Sequence, residues 1–71
     1  MTDEQREKRE FVRGKLYALL LGIDKDIAFV DYGMQYSHEI VQITWKNGYV
    51  KDIEVTADSL KALTMDVLRH I

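Results

Sequence analysis

Val41-Gln42-Ile43-Thr44-Trp45-Lys46-Asn47-Gly48-Tyr49-Val50-Lys51-Asp52-Ile53-Glu54-Val55 reads as a β-hairpin folding about Lys46-Asn47-Gly48, and its register decides which face of the sheet is buried. Apolar residues alternate as Val41, Ile43 and Trp45 on the first arm and as Tyr49, Ile53 and Val55 on the second, the period-2 pattern of a half-buried strand pair. A two-residue type I′ turn at Asn47-Gly48 would pair Trp45 with Val50 and Ile43 with Asp52. Asp52 and Glu54 would then share the face of Trp45, and burying unpaired carboxylates costs several kcal/mol. A three-residue loop, a type I turn through Lys46 and Asn47 with Gly48 left-handed, pairs Trp45 with Tyr49 and Val41 with Ile53. Only Lys51 interrupts the apolar face in that register, and a lysine at a sheet margin lays its stem on the core with its ammonium in water. The second register is therefore expected, with Gln42, Thr44, Val50, Asp52 and Glu54 on a solvated outer face. An isolated hairpin is marginal, so the flanking segments must cover the inner face.

On the N-terminal side, Thr2 followed by Gln5 is a capping-box pattern, with Asp3 and Glu4 suited to a helix start. The first helix is expected to present Val12, Leu16, Leu19, Leu20 and Ile23 as one stripe facing the sheet and to stop near Gly22-Ile23-Asp24. Extended backwards, that stripe meets Gln5 and Arg9, so residues 1–10 are expected to project as a charged helix end. Arg6, Arg9 and Arg13 share one side of it, while Asp3, Glu7 and Glu10 share another. Phe11, Tyr17 and Leu21 lie off the core stripe and form a candidate interaction surface, unless the second helix packs there. Gly14 sits mid-helix without a turn or cap to explain it, and close approach of another element is one account.

Ile27-Ala28-Phe29-Val30-Asp31-Tyr32, bounded by Asp24-Lys25-Asp26 and Gly33, reads as a third strand. Met34 to Glu39 either continues that strand towards Val41 or forms a loop in which Tyr36 and Met34 fold over a sheet edge. After the hairpin, Thr56 is expected to cap a second helix with Asp58 in its first turn. Its inner stripe is Leu60, Leu63, Thr64, Val67, Leu68 and Ile71, with Met65 pointing away. The expected fold is α+β, in the order α-β-β-β-α, with two helices packed on one face of a small antiparallel sheet and residues 1–71 forming a single domain.

Composition narrows the function. A chain of 71 residues, 46% hydrophobic and 31% charged without proline, is globular and leaves a thin stability margin that oligomerisation would widen. The absence of cysteine removes disulfides and thiolate metal sites and suits a reducing cytosol. The longest apolar run, Leu16 to Leu21, is far short of a membrane span, so a cytoplasmic protein is expected. A formal net charge of −2 disfavours non-specific nucleic-acid binding. Ser37-His38-Glu39 joins three catalytic residue types, but neighbours on an extended chain point to opposite faces, and His70 and Ser59 cannot meet on one helix. Two separated histidines, and an Asp24-Lys25-Asp26 stretch lacking a calcium-loop glycine, give no metal spacing. No enzyme, cofactor or small-molecule ligand is expected.

Trp45-Lys46-Asn47-Gly48-Tyr49-Val50-Lys51, Val55-Thr56-Ala57-Asp58-Ser59-Leu60 and Asp66-Val67 resemble small uncharacterised proteins carried in prophages of Gram-positive bacteria. That resemblance covers roughly the second half of the chain and implies no particular activity. The order α-β-β-β-α is also that of double-stranded-RNA-binding domains, which place a basic cluster at the start of the last helix. Here that stretch is Ala57-Asp58-Ser59-Leu60 with Lys61 alone. The expected function is thus a non-enzymatic protein-interaction module, phage-derived and homodimeric. A nucleic-acid-binding regulator using Arg6, Lys8, Arg9 and Arg13 is the alternative.

Overall fold

In the computed structural model, which describes residues 2–55 and 58–71, the chain opens with a continuous helical stretch of three segments. These are α1 (Asp3–Phe11), a π-helical segment (Val12–Leu16) and α2 (Tyr17–Ile23). The strands β1 (Ile27–Gln35), β2 (His38–Trp45) and β3 (Val50–Glu54) follow, and α3 (Leu60–Leu68) closes the chain. The fold is α+β in the expected order, with the strands in one antiparallel sheet of order β1-β2-β3.

The hairpin has the register in which Val41 faces Ile53 and Ile43 faces Lys51. Trp45 N–H donates to the Tyr49 carbonyl at 2.8 Å, Gly48 N–H donates to the Trp45 carbonyl at 3.0 Å, and Gly48 is left-handed at φ 90°. The Trp45 and Tyr49 rings meet at a tilt of 42° with centroids 5.3 Å apart, as expected for a directly opposed aromatic pair.

The other hairpin was legible only as an ambiguity. β1 runs on to Gln35, which pairs with His38, so Tyr36 and Ser37 alone make the turn. Both have positive φ, 50° and 68°, the geometry of a type I′ turn, which Asn-Gly usually fills. Tyr36 therefore stands at the tip, 90% exposed, rather than folding over a sheet edge. A bulge between Ile27 and Phe29 lets both Ile27 and Val30 point into the core, three residues apart.

The first helix departs from the expected stripe because its buried residues, Lys8, Val12, Leu16 and Leu20, recur every fourth position. In an ideal α-helix a four-residue spacing drifts by about 40° per step. The wider turns of the π segment take up that drift. The helix consequently divides into four rows. One is the core row just named. A second, Gln5-Arg9-Arg13-Tyr17-Leu21, lies over β1. A third, Phe11-Lys15-Leu19-Ile23, leaves Leu19 and Ile23 exposed instead of buried. The fourth, Glu10-Gly14-Ala18-Gly22, faces solvent. Nothing lies within 4 Å of a Cβ placed on Gly14, so no element approaches it closely.

Residues 1–10 were expected to project, but the helix lies along the sheet from its second turn. Lys8 is 6% exposed and Arg9 reaches Asp31 of β1. A lysine stem continues an apolar row where the next turn offers no aliphatic residue. At the C-terminus, Ser59 caps α3, its hydroxyl accepting from Ala62 N–H at 3.1 Å. The cap expected at Thr56 lies outside the described residues, and Asp58 precedes the helix. Leu63 and Val67 are buried, Leu60 and Thr64 half-buried, and Leu68 and Ile71 exposed, so the inner stripe is narrower than expected. Met65 points outward as the spacing requires.

Candidate functional site

Two ionic contacts tie the first helix to the sheet. Lys8 Nζ donates to Glu39 Oε1 at 2.8 Å, and the Tyr32 hydroxyl donates to the same oxygen. Burial pushes the Glu39 carboxyl upward, but the bonds from Lys8 and Tyr32 outweigh it and hold the group below the usual carboxylate range. Burial, then the neighbouring Glu39 carboxylate, raises the Tyr32 phenol above its ordinary value.

Further along, the Arg13 guanidinium grips Asp31 side-on, Nε to Oδ1 at 2.8 Å and Nη2 to Oδ2 at 3.0 Å, while Arg9 approaches Oδ1 at 3.4 Å. Arg13 is the main cause that lowers the Asp31 carboxyl to about 2, against the opposing pull of partial burial. The bidentate fork gives this pair its fixed geometry.

These contacts account for the basic residues considered for nucleic acid. Lys8 is committed to Glu39 with Glu4 3.8 Å away, Arg9 and Arg13 to Asp31, and Arg6 lies 3.7 Å from Asp3. Lys8, Arg9 and Arg13 thus form a seam with the sheet, whereas Arg6 approaches Asp3 of its own helix and stays exposed.

Phe11, Tyr17 and Leu21 do not form one surface. All three pack partly against the core, but Tyr17 and Leu21 lie in the β1 row, where the Tyr17 hydroxyl donates to the Ala28 carbonyl at 3.0 Å. Phe11 lies on the other flank and lines a shallow hollow with Glu7, Lys15 and Leu60 of α3. Leu60, Thr64 and Leu68 form one row of α3 at helical spacing, and Leu60 meets the Phe11-Lys15-Leu19-Ile23 row at this hollow. The interhelical cleft is lined at this point by Phe11, Lys15 and Leu60. Four apolar side chains, two later in the first helical stretch and two at the end of the chain, stay open: Leu19 at 47%, Ile23 at 57%, Leu68 at 36% and Ile71 at 46% exposure. The sequence places all four in the core: Leu19 and Ile23 because a 3.6-residue period does not reveal the π segment, Leu68 and Ile71 because that period extends the last stripe past the end of α3 at Leu68.

The residues weighed for catalysis remain apart. Ser37 sits in the turn, His38 Nδ1 lies 3.2 Å from Glu54 Oε1 on the outer face, and Glu39 points to Lys8 and Tyr32. His70 Nδ1 lies 2.8 Å from the Asp66 carbonyl at the end of α3. Asp24, where the helical stretch ends, accepts the Trp45 indole N–H at 2.9 Å and the Asp26 backbone N–H, and both bonds lower its pKa. Among the described residues, no three His, Asp or Glu side chains converge as a metal site, and no helix is long and apolar enough to cross a membrane.

Compared with family models, curated proteins and solved structures, the chain finds no match. The functional reading therefore rests on the geometry above.

Proposed function

We propose that this chain is a small, non-enzymatic protein-interaction module of the cytoplasm that assembles as a homodimer through the exposed apolar residues beside its interhelical cleft. The observation that supports this reading is the group of Leu19, Ile23, Leu68 and Ile71, exposed on the helix layer while the core beneath is complete. Apolar clusters left open on a small domain are stabilised by a second surface, and a domain of this size gains stability from association. A twofold contact would set each cleft against the same residues of the other copy. A phage origin is what the resemblance of Trp45 to Lys51 and of Val55 to Leu60 implies.

Molar mass by light scattering over a wide concentration range tests this reading. The wild-type chain should approach twice its 8.3 kDa mass at high concentration, and a Leu19→Glu, Ile23→Glu double variant should remain a monomer with an unchanged circular dichroism spectrum. A wild-type monomer at every concentration would overturn the homodimer. Leu21 is a poor site for this test because it packs against the core, so a charge there would also weaken the fold.

A further inference from the structure

The two edges of the sheet are finished differently. At the β1 edge the outward Tyr32 N–H donates to Asp31 Oδ1 at 2.8 Å and the Ala28 carbonyl accepts from Tyr17. The row Gln5-Arg9-Arg13-Tyr17-Leu21 thus closes that edge with side chains. At the other edge, Trp45 N–H to Tyr49 O and Val55 N–H to Glu39 O mark the odd-numbered residues of the second arm as those bonded to β2. The alternation of an antiparallel ladder then turns the N–H and C=O groups of Val50, Asp52 and Glu54 outward. No hydrogen bond to these groups occurs among the described residues.

An open edge invites another strand, and charge selects which. A second copy is penalised. Antiparallel self-pairing that joins more than one ladder pair must set Asp52 against Asp52, Asp52 against Glu54, or Lys51 against Lys51 of the other chain. Like charges directly opposed destabilise a strand pair. The side chains of Asp52 and Glu54 share the outer face two residues apart, followed on the same face by the exposed apolar Val50. Their near neighbours on that face are the neutral amide of Gln42, 2.9 Å from Asp52, and the His38 ring beside Glu54.

We infer that the β3 edge binds an extended peptide segment by strand addition, the incoming chain carrying Lys or Arg at two alternate positions opposite Glu54 and Asp52 and an apolar residue opposite Val50. Backbone bonds to Val50, Asp52 and Glu54 hold the strand, the two carboxylates select its basic residues, and the apolar position opposite Val50 sets its direction. The residue between the two basic positions faces Ile53 at the margin of the core, which favours an aliphatic side chain there. This inference rests on the reading of the chain as an interaction module, but it uses a different surface from the interhelical cleft.

The test is a titration of the full-length, isotope-labelled protein with the end-capped peptide Lys-Ile-Lys-Thr-Val, followed by backbone amide NMR, with Glu-Ile-Glu-Thr-Val as control. The amides of Val50, Asp52 and Glu54 should move with the basic peptide and stay in place with the acidic one. An Asp52→Lys variant, checked for an unchanged fold by its own spectrum, should lose affinity at least tenfold. Unmoved β3 amides at millimolar basic peptide, an equal response to both peptides, or shifts mapping to another surface would each overturn the inference. So would β3 amides that move with protein concentration alone, since the edge would then be occupied by a second copy. Light scattering on the same samples reads the cleft separately: a dimer that ignores the peptide sinks the edge inference and leaves the homodimer standing.

Discussion

Lys8 in α1 and Glu39 in β2 are 31 residues apart in sequence, and their charged groups meet at 2.8 Å with the Tyr32 hydroxyl on the same carboxylate oxygen. The contact joins the first helix to the hairpin of β1 and β2 one turn before Val12 enters the core. A buried pair of this kind contributes little net stability, but removing one partner strands the other charge.

Lys8→Ala should therefore destabilise the domain by about 2–3 kcal/mol in urea unfolding followed by Trp45 fluorescence, below the range for fully buried pairs because Glu39 retains some solvent contact. Replacing both partners, as Lys8→Met with Glu39→Met, should recover most of that loss, because no charge is left stranded. A cost for Lys8→Ala under about 0.5 kcal/mol would place the pair with ordinary surface ion pairs.

Acid should act through the same seam. Asp31 titrates at about 2 in the folded chain, below its ordinary 3.8, so the unfolded state binds the proton first as pH falls. Its contribution is fully present above the ordinary value and is lost as pH falls through the folded value. Glu39 is shifted in the same direction. Denaturant midpoints should hold steady from neutrality to about pH 5 and then decline towards pH 2. The gap between wild type and Asp31→Asn should close over that interval, and a constant gap would show that the carboxylate charge does not stabilise the fold.

The tip of the first hairpin should accept a better turn. Tyr36 and Ser37 both hold left-handed backbone, which costs a non-glycine residue about 1–2 kcal/mol. Tyr36→Asn with Ser37→Gly should raise stability by about 1–2 kcal/mol, read as a rise in Tm of roughly 4–8 °C per kcal/mol for a domain of this size. An unchanged or lower Tm would mean that Tyr36 or Ser37 stabilises the turn in another way.

The sequence disclosed the second hairpin in full because two physical rules agreed there: alternation named the buried face, and the exclusion of Asp52 from it chose between two turns. The first hairpin was hidden because Tyr36 and Ser37 carry no turn signal, and the strain they accept is visible only in the backbone. The helix rows were misread because Gly14 announces no π turn, so a period of 3.6 placed Leu19 and Ile23 inside and split Phe11 wrongly from its row. Lys8 was legible in principle, being four residues before Val12, but only to a reader who admits a lysine stem into an apolar row. The acidic pattern of β3 was plain, yet its significance depended on which strand lay at the edge.

The first helix is fastened by unlike means along its length: ions near its beginning, where Lys8, Arg9 and Arg13 meet Glu39 and Asp31, and oil near its end, where Leu16 and Leu20 enter the core. Salt weakens the first kind and leaves the second, whereas cold weakens the second and leaves the first. The two halves of one helix therefore answer to different solvents, and the order in which their amides open to exchange should reverse between warm brine and cold dilute buffer.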